Sequence, residues 1–200
     1  MGLQRLLQAA RIQAERAYSA RRVWLACVVL LLPLAASAKG IEIRSAFVES
    51  NAGVLLLSAQ VDFELPAGAQ QAIRDGVELT LTFDIEVSRG RRFWTDEDVA
   101  QLEQRYELLY HAVSGRYLVR NLNSGEQGSY PTLDAALEPL HRIERLPILD
   151  EALVRSKGRY EISLRASLDV HTMPDALRFI VFWADDWRQT SEWYTWPLRL

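Results

Sequence analysis

The sequence predicts a mainly β protein: an antiparallel two-sheet sandwich of about eight strands with one or two short helices, preceded by an N-terminal signal helix. Three observations predict it. Apolar residues recur at every second position in several separate segments, which is the period of a strand with one dry face and one wet face. Turn-forming Gly, Asn and Pro separate these segments. The first 38 residues have a different character from the remainder, with five arginines, one acid and a short apolar run.

That leader reads VWLACVVLLLPL over residues 23–34, after Arg21-Arg22 and before Ala36-Ser37-Ala38. A basic flank, a short apolar run and a small-x-small site are the parts of a secretory signal. The expected division is therefore a signal peptide at 1–38, cleaved after Ala38, and a single sandwich-like domain at 39–200. The alternative is an uncleaved inner-membrane anchor at 23–38, although this stretch is shorter than the roughly 20 residues that span a bilayer. Cys27 would mark a lipoprotein only if it ended the apolar run, and Val28 to Leu32 continue it. Arg21-Arg22 reads as an ordinary basic flank rather than a twin-arginine signal. The expected location is periplasmic or secreted, with membrane contact only through the N-terminal segment.

The whole chain is 49% apolar with a formal charge of −3. Of its 23 basic and 26 acidic residues, five and one lie in the leader, so 39–200 carries 18 against 25, a net −7. An acidic body with no Lys/Arg run longer than Arg91-Arg92 disfavours nucleic-acid binding. Cys27 is the only cysteine, so the body has no disulfide, thiolate metal site or cysteine nucleophile to draw on.

The elements follow in order. Ile41, Ile43 and Phe47 alternate with Glu42 and Arg44 in a first strand, and Asn51-Ala52-Gly53 turns the chain. Leu55, Leu57, Ala59, Val61, Phe63 and Leu65 share one parity against Ser58, Gln60, Asp62 and Glu64. Residues 66–76 break the pattern and accommodate a helical turn. Val77, Leu79, Leu81, Phe83, Ile85 and Val87 then alternate with Glu78, Thr80, Thr82, Asp84, Glu86 and Ser88. Burying six such side chains contributes roughly 9–18 kcal/mol before chain entropy is set against it. Strict alternation leaves one face wet, which favours antiparallel pairing over a doubly wound parallel sheet.

After a basic turn at 89–92, Thr95 is placed to cap a short helix from Asp96, with acids in its first turn. Tyr106, Leu108 and Tyr110 resume alternation, Ser114-Gly115 turns the chain, and residues 117–119 return as a hairpin. Residues 121–129 read as a loop. Thr132 caps a helix carrying Leu133, Ala136, Leu137 and Leu140, which Pro139 shortens or kinks. Residues 146–149 fit either a strand or a helix. Tyr160, Ile162, Leu164, Ala166, Leu168 and Val170 form another alternating strand after Lys157-Gly158. Pro174 separates it from an apolar run at 177–183, and a last extended stretch covers 191–198.

Few residues are arranged for chemistry. His111, His141 and His171 have no second His or Cys at ligand spacing, so ordinary surface or edge histidines fit better than a metal site. Asp96-Glu97-Asp98 is explained by a helix start. Asp185 and Asp186 are adjacent and would point to opposite faces of a strand, which weakens them as an acid–base pair. No Gly-x-Ser-x-Gly elbow, Gly-rich Lys-Ser/Thr loop or Gly-x-Gly-x-x-Gly occurs, and residues 125–129 read as a surface loop. No cofactor or metal is implied.

The tail is the unusual feature. Trp183, Trp187, Trp193 and Trp196 crowd together with Tyr194, Phe179 and Phe182 nearby. In an extended tail Trp193 and Thr195 share one face, and Tyr194 and Trp196 the other. Rings on both faces mean either that both faces are covered or that one is a binding surface. Core packing, a protein interface and stacking on a sugar all use tryptophan this way.

Taken in order, Phe93-Trp94, Arg105-Tyr106-x-Leu108-x-Tyr110-His111, Ser114-Gly115-x-Tyr117, Thr132-Leu133-x-x-Ala136-Leu137, Arg159-Tyr160, Leu164-Arg165-x-Ser167-Leu168-Asp169 and Asp186-Trp187 through Ser191-x-Trp193 to Trp196 resemble a family of proteobacterial exported proteins known only as a domain of unknown function. The resemblance covers nearly all of 41–198. It implies a signal-bearing single-domain envelope protein, in a family whose genes are often found beside a two-component, nitrogen-type sensor kinase and regulator, and it carries over no catalytic residue. The expectation is a non-catalytic periplasmic module that binds another envelope protein, the sensor-kinase ectodomain being a candidate, through Trp183, Trp187, Trp193, Tyr194 and Trp196. The alternatives are a glycan binder or hydrolase using those rings with Asp185 or Asp186, and a lipid or small-molecule carrier with an internal cavity.

Overall fold

A computed structural model describes residues 40–91, 97–154, 158–172 and 188–199, with the backbone alone at 170–172. The leader, Thr95-Asp96 and the 173–187 segment lie outside the described residues. The strands in chain order are β1 (Glu42–Asn51), β2 (Val54–Asp62), β3 (Glu78–Gly90), β4 (Glu97–His111), β5 (Arg116–Asn121), β6 (Gln127–Tyr130), β7 (Arg142–Asp150), β8 (Arg159–Thr172), β9 (Gln189–Thr190) and β10 (Tyr194–Pro197). Two helices join them, α1 (Ala67–Arg74) and α2 (Leu133–Leu137). Residues 39–200 form one compact unit.

The protein is mainly β, with two antiparallel sheets. The smaller runs β1-β2-β7 and the larger β10-β8-β3-β4-β5-β6, with the short β9 also on β8. One apolar core lies between them. Across it β1 approaches β8 and β7 approaches β4, which sets β2 above β3. The alternating rows supply this core: Leu55, Leu57 and Val61 of β2, Leu79 to Val87 of β3, and Tyr160 to Leu168 of β8 are all buried.

Ten strands are described where the periodicity suggests about eight. The additions are short: β9 has two residues, and β6 forms from Gln127 to Tyr130, inside the stretch that reads as a loop. Pairing to β5, rather than any alternation, defines β6. The expected helix from Asp96 is replaced from Glu97 onward by β4, a 15-residue strand. Eleven register pairs with β3 outweigh the local preference of acids for a helix start.

The first strand also departs from its predicted parity. The pairing of β1 with β2 slips between Ile43 and Ser45. The extra residue, Arg44, is a β-bulge, and it reverses which parity faces the core. Ile41 and Ile43 are buried, Ala46 and Val48 take over beyond the bulge, and Phe47 is turned outward at 56% exposure. Residues 146–149 are a strand. Arg145, at φ 49°, and a register shift opposite Ser58 break the period of β7, which is why no alternation shows there.

The other two helical readings hold. The chain after Pro66 forms α1, burying Ala69, Ala72 and Ile73. Thr132 caps α2 by accepting a 3.2 Å hydrogen bond from the Ala135 N–H, and the helix gives way to a 3-10 turn at Pro139. Thr132→Ala is expected to lower stability by about 1 kcal/mol, measured by urea denaturation. Thr132→Ser should restore most of it, whereas equal loss in both variants would exclude the cap as the cause.

Candidate functional site

The two sheets differ in width, and the difference creates an edge. β10 pairs with β8 through Tyr194–Leu164, Thr195–Ser163 and Trp196–Ile162. Leu164 and Ile162 face the core, so Tyr194 and Trp196 lie on that side of the sheet, and Trp193 and Thr195 lie on the outer side. The smaller sheet ends at β1, which lies over β8, so no strand among the described residues covers β10 from above.

Each ring is held differently. Trp193 is 38% exposed, and the Arg165 guanidinium lies 4.5 Å from the centre of its ring, a cation–π contact that Arg165 combines with a 2.9 Å ion pair to Asp84. Thr195 and Ser163 share a 2.8 Å hydroxyl hydrogen bond beside it. On the core side, the Tyr194 and Trp196 rings are 5.5 Å apart and tilted by 52°. Trp196 is half-buried against the core and Tyr194 is exposed. A cleft of about 330 Å³ runs from Trp196, Pro197, Leu198 and Arg199 to Phe47 and Val48 of β1. Among the described residues no carboxylate lines it.

Of the predicted binding residues, the structure brings Trp193, Tyr194 and Trp196 to this edge. Trp183 and Trp187, with Asp185 and Asp186, lie outside the described residues. Phe47 is the member that sequence reasoning placed in the core. Arg44 keeps the polar parity of Glu42, so the local pattern gives no sign of the bulge that puts an extra side chain on the outer face.

Two further recesses lie among the described residues. One of about 620 Å³ lies between β4, β5, β6 and the α2 region, lined among others by Tyr106, Tyr130, Glu126, Glu138, Arg142 and Glu144. Arg142 and Glu138 are paired at 2.5 Å there. Burial, more than any neighbour, pushes the Tyr106 phenol above its ordinary value of 10.0, opposed by its hydrogen bond with Gln104 and helped by the Glu126 charge. The native state then keeps a proton that the unfolded chain gives up. This stabilisation is complete below the unfolded value and is lost as pH rises through the folded one. Stability is expected to fall above the ordinary tyrosine range, and Tyr106→Phe should remove that part of the fall in denaturation curves taken across alkaline pH.

The second recess, about 260 Å³, holds His141 with Glu42, Arg44, Asp62, Phe63 and Glu64. His141 Nδ1 donates to the Val61 carbonyl at 2.9 Å, and its ring lies 4.6 Å from Phe63. That is a strand-edge packing role. Arg44 joins Glu42 at 3.1 Å and Asp62 at 2.7 Å. His111 bonds Ser114 in the β4–β5 turn at 2.8 Å, and the His171 side chain lies outside the described residues. Glu97 is held below the usual carboxylate range, chiefly by its hydrogen bond from Arg91 and also by the Arg89 charge. Among the described residues no three His, Cys, Asp or Glu side chains converge as metal ligands.

Comparison with known proteins gives one match: the family model described as a domain of unknown function, DUF4390, fits residues 38–197. No curated protein and no solved structure matches the chain. Among the described residues no helix is long and apolar enough to cross a membrane.

Proposed function

The chain belongs to the DUF4390 family of domains of unknown function, and on that premise we propose that it is a non-catalytic, protein-binding module of the bacterial envelope, exported by residues 1–38. The observation that carries this reading is the aromatic edge. Phe47 and Tyr194 are exposed, Trp196 floors an apolar cleft that reaches Phe47, and Trp193 is exposed under Arg165 on the outer face of the sheet. Large rings held at a surface, with few rotamers to lose, are the residues that dominate protein interfaces. The sequence offers no nucleophile, phosphate or metal motif to set against them.

The sensor-kinase ectodomain suggested by the family resemblance is the first partner to test. Calorimetry with that purified ectodomain should show binding by the wild-type protein. Phe47→Ser combined with Trp193→Ala should weaken it by at least about 2 kcal/mol, the threshold of a hot spot, while leaving the denaturation midpoint near wild type. Undiminished binding by the double variant would remove the aromatic edge from the interface, and no binding by either form would remove the kinase.

A further inference from the structure

The four sheet edges formed by the described strands are unequal. The β6 edge has four residues, and β10 has four and ends in Pro197. β7 is interrupted by the left-handed Arg145 and by Pro147, which has no N–H to offer. These are the ways natural sheets blunt an edge against further pairing. β1 is different. It runs for ten residues, is bulged only near one end, and carries the exposed Phe47 in its middle. Half of the backbone N–H and C=O groups beyond the bulge point away from β2.

The position next to β1 has a floor. β1 lies over β8, and β10 is the next strand outward in the larger sheet. A strand added beside β1 would lie over β10, with alternate side chains directed onto Trp196 and Tyr194 and into the 330 Å³ cleft. We propose that this is a binding site for one extended segment of a partner polypeptide, which pairs with β1 as a fourth strand of the smaller sheet. This rests on the protein-binding reading above and specifies how the partner docks.

Two features define the occupant. Inward-facing residues must be apolar to match Trp196, Leu198 and Val48. Arg199 sits at the rim of the cleft and forms no ion pair among the described residues, so the segment should bring a carboxylate there, from an acidic side chain or its C-terminus. A second copy of this chain does not fit. Because β10 projects beyond β1, a symmetric β1–β1 pairing would drive the partner's larger sheet into β10. The overhang admits a lone strand and excludes a strand backed by its own sheet.

The test uses the purified full chain and a probe, an N-acetylated peptide of about seven residues alternating valine and threonine and ending in a free aspartate. Hydrogen exchange at saturating peptide should slow the β1 amides by about tenfold or more, with α1 unchanged. Arg199→Glu should weaken the aspartate peptide roughly fivefold and favour a lysine-amide version of it instead. The same residues with contiguous valines should not protect β1. Unchanged β1 exchange at millimolar peptide overturns the proposal. So does slow exchange along all of β1 in the free protein, which would mean that its own chain already fills the position, and so does β1 protection that tracks dimerisation. If the kinase ectodomain binds through the rings while β1 amides in that complex exchange freely, strand addition fails and the protein-binding reading stands. If the peptide protects β1 but the ring substitutions leave partner binding intact, the reading of the rings fails instead.

Discussion

Phe83→Ala is expected to destabilise the protein by about 3–5 kcal/mol, a large part of the 5–15 kcal/mol that holds an ordinary domain together. Phe83 is fully buried at the centre of β3, the strand flanked by β8 and β4 in the larger sheet. It pairs with Gln104 on one side and with the small Ala166 on the other, and it meets the Tyr106 ring edge-on at 6.1 Å. The small neighbour makes room for the phenyl ring but cannot fill the space it leaves. Urea denaturation checks the value, with Val113→Ala, at 94% exposure, as the neutral control. A loss for Phe83→Ala no greater than that control would mean that the smaller sheet does not close over β3.

Ile73→Ala should cost about 2–5 kcal/mol, with an uneven distribution across the molecule. α1 has no side-chain N-cap, and its buried face consists of Ala69, Ala72 and Ile73. Ile73, fully buried, is the only large side chain anchoring that helix. An eight-residue helix is marginal without tertiary contacts, so the truncation should release α1 before the sheets open. Amide exchange should show protection lost first in α1 and the loop to β3, and retained in β3 and β8. Uniform loss across all elements would show instead that α1 and the sheets unfold as a single unit.

Much of the fold is legible in the sequence where one strand is dry on one face along its whole length. β2, β3 and β8 announce themselves because Leu55 to Leu65, Val77 to Val87 and Tyr160 to Leu168 keep a single parity. What could not be read depends on partners distant in sequence. The bulge at Arg44 turns Phe47 outward, and only the register with β2 reveals it. β7 loses its period at Arg145 and Pro147, and the acids before β4 imitate a helix start. The wet face also holds a dry patch. Glu107 is buried beneath the Arg120 guanidinium, opposite the buried Thr80, where alternation alone implies open water.

The candidate site follows the same division. Tryptophan crowding points to Trp193, Tyr194 and Trp196, because bulky rings on both faces of a tail are visible in any sequence. The cleft that Trp196 shares with Phe47 is not visible, because it exists only because one sheet is a strand wider than the other on this side. Strand order is set by pairings such as β8 with β3 and β10 with β8, and local periodicity does not encode it.

The pairing of β3 with β8 also bears on how the polypeptide is made. Glu78 is matched to Thr172 and Gly90 to Arg159, so a ribosome must deliver most of the chain before β3 gains its second neighbour. Until then β3, the strand at the centre of that pairing, offers an open flank to any other unfinished molecule. Folding should therefore be slow for the protein's size and completed late. A truncation that stops before β8 should aggregate rather than yield a smaller soluble domain.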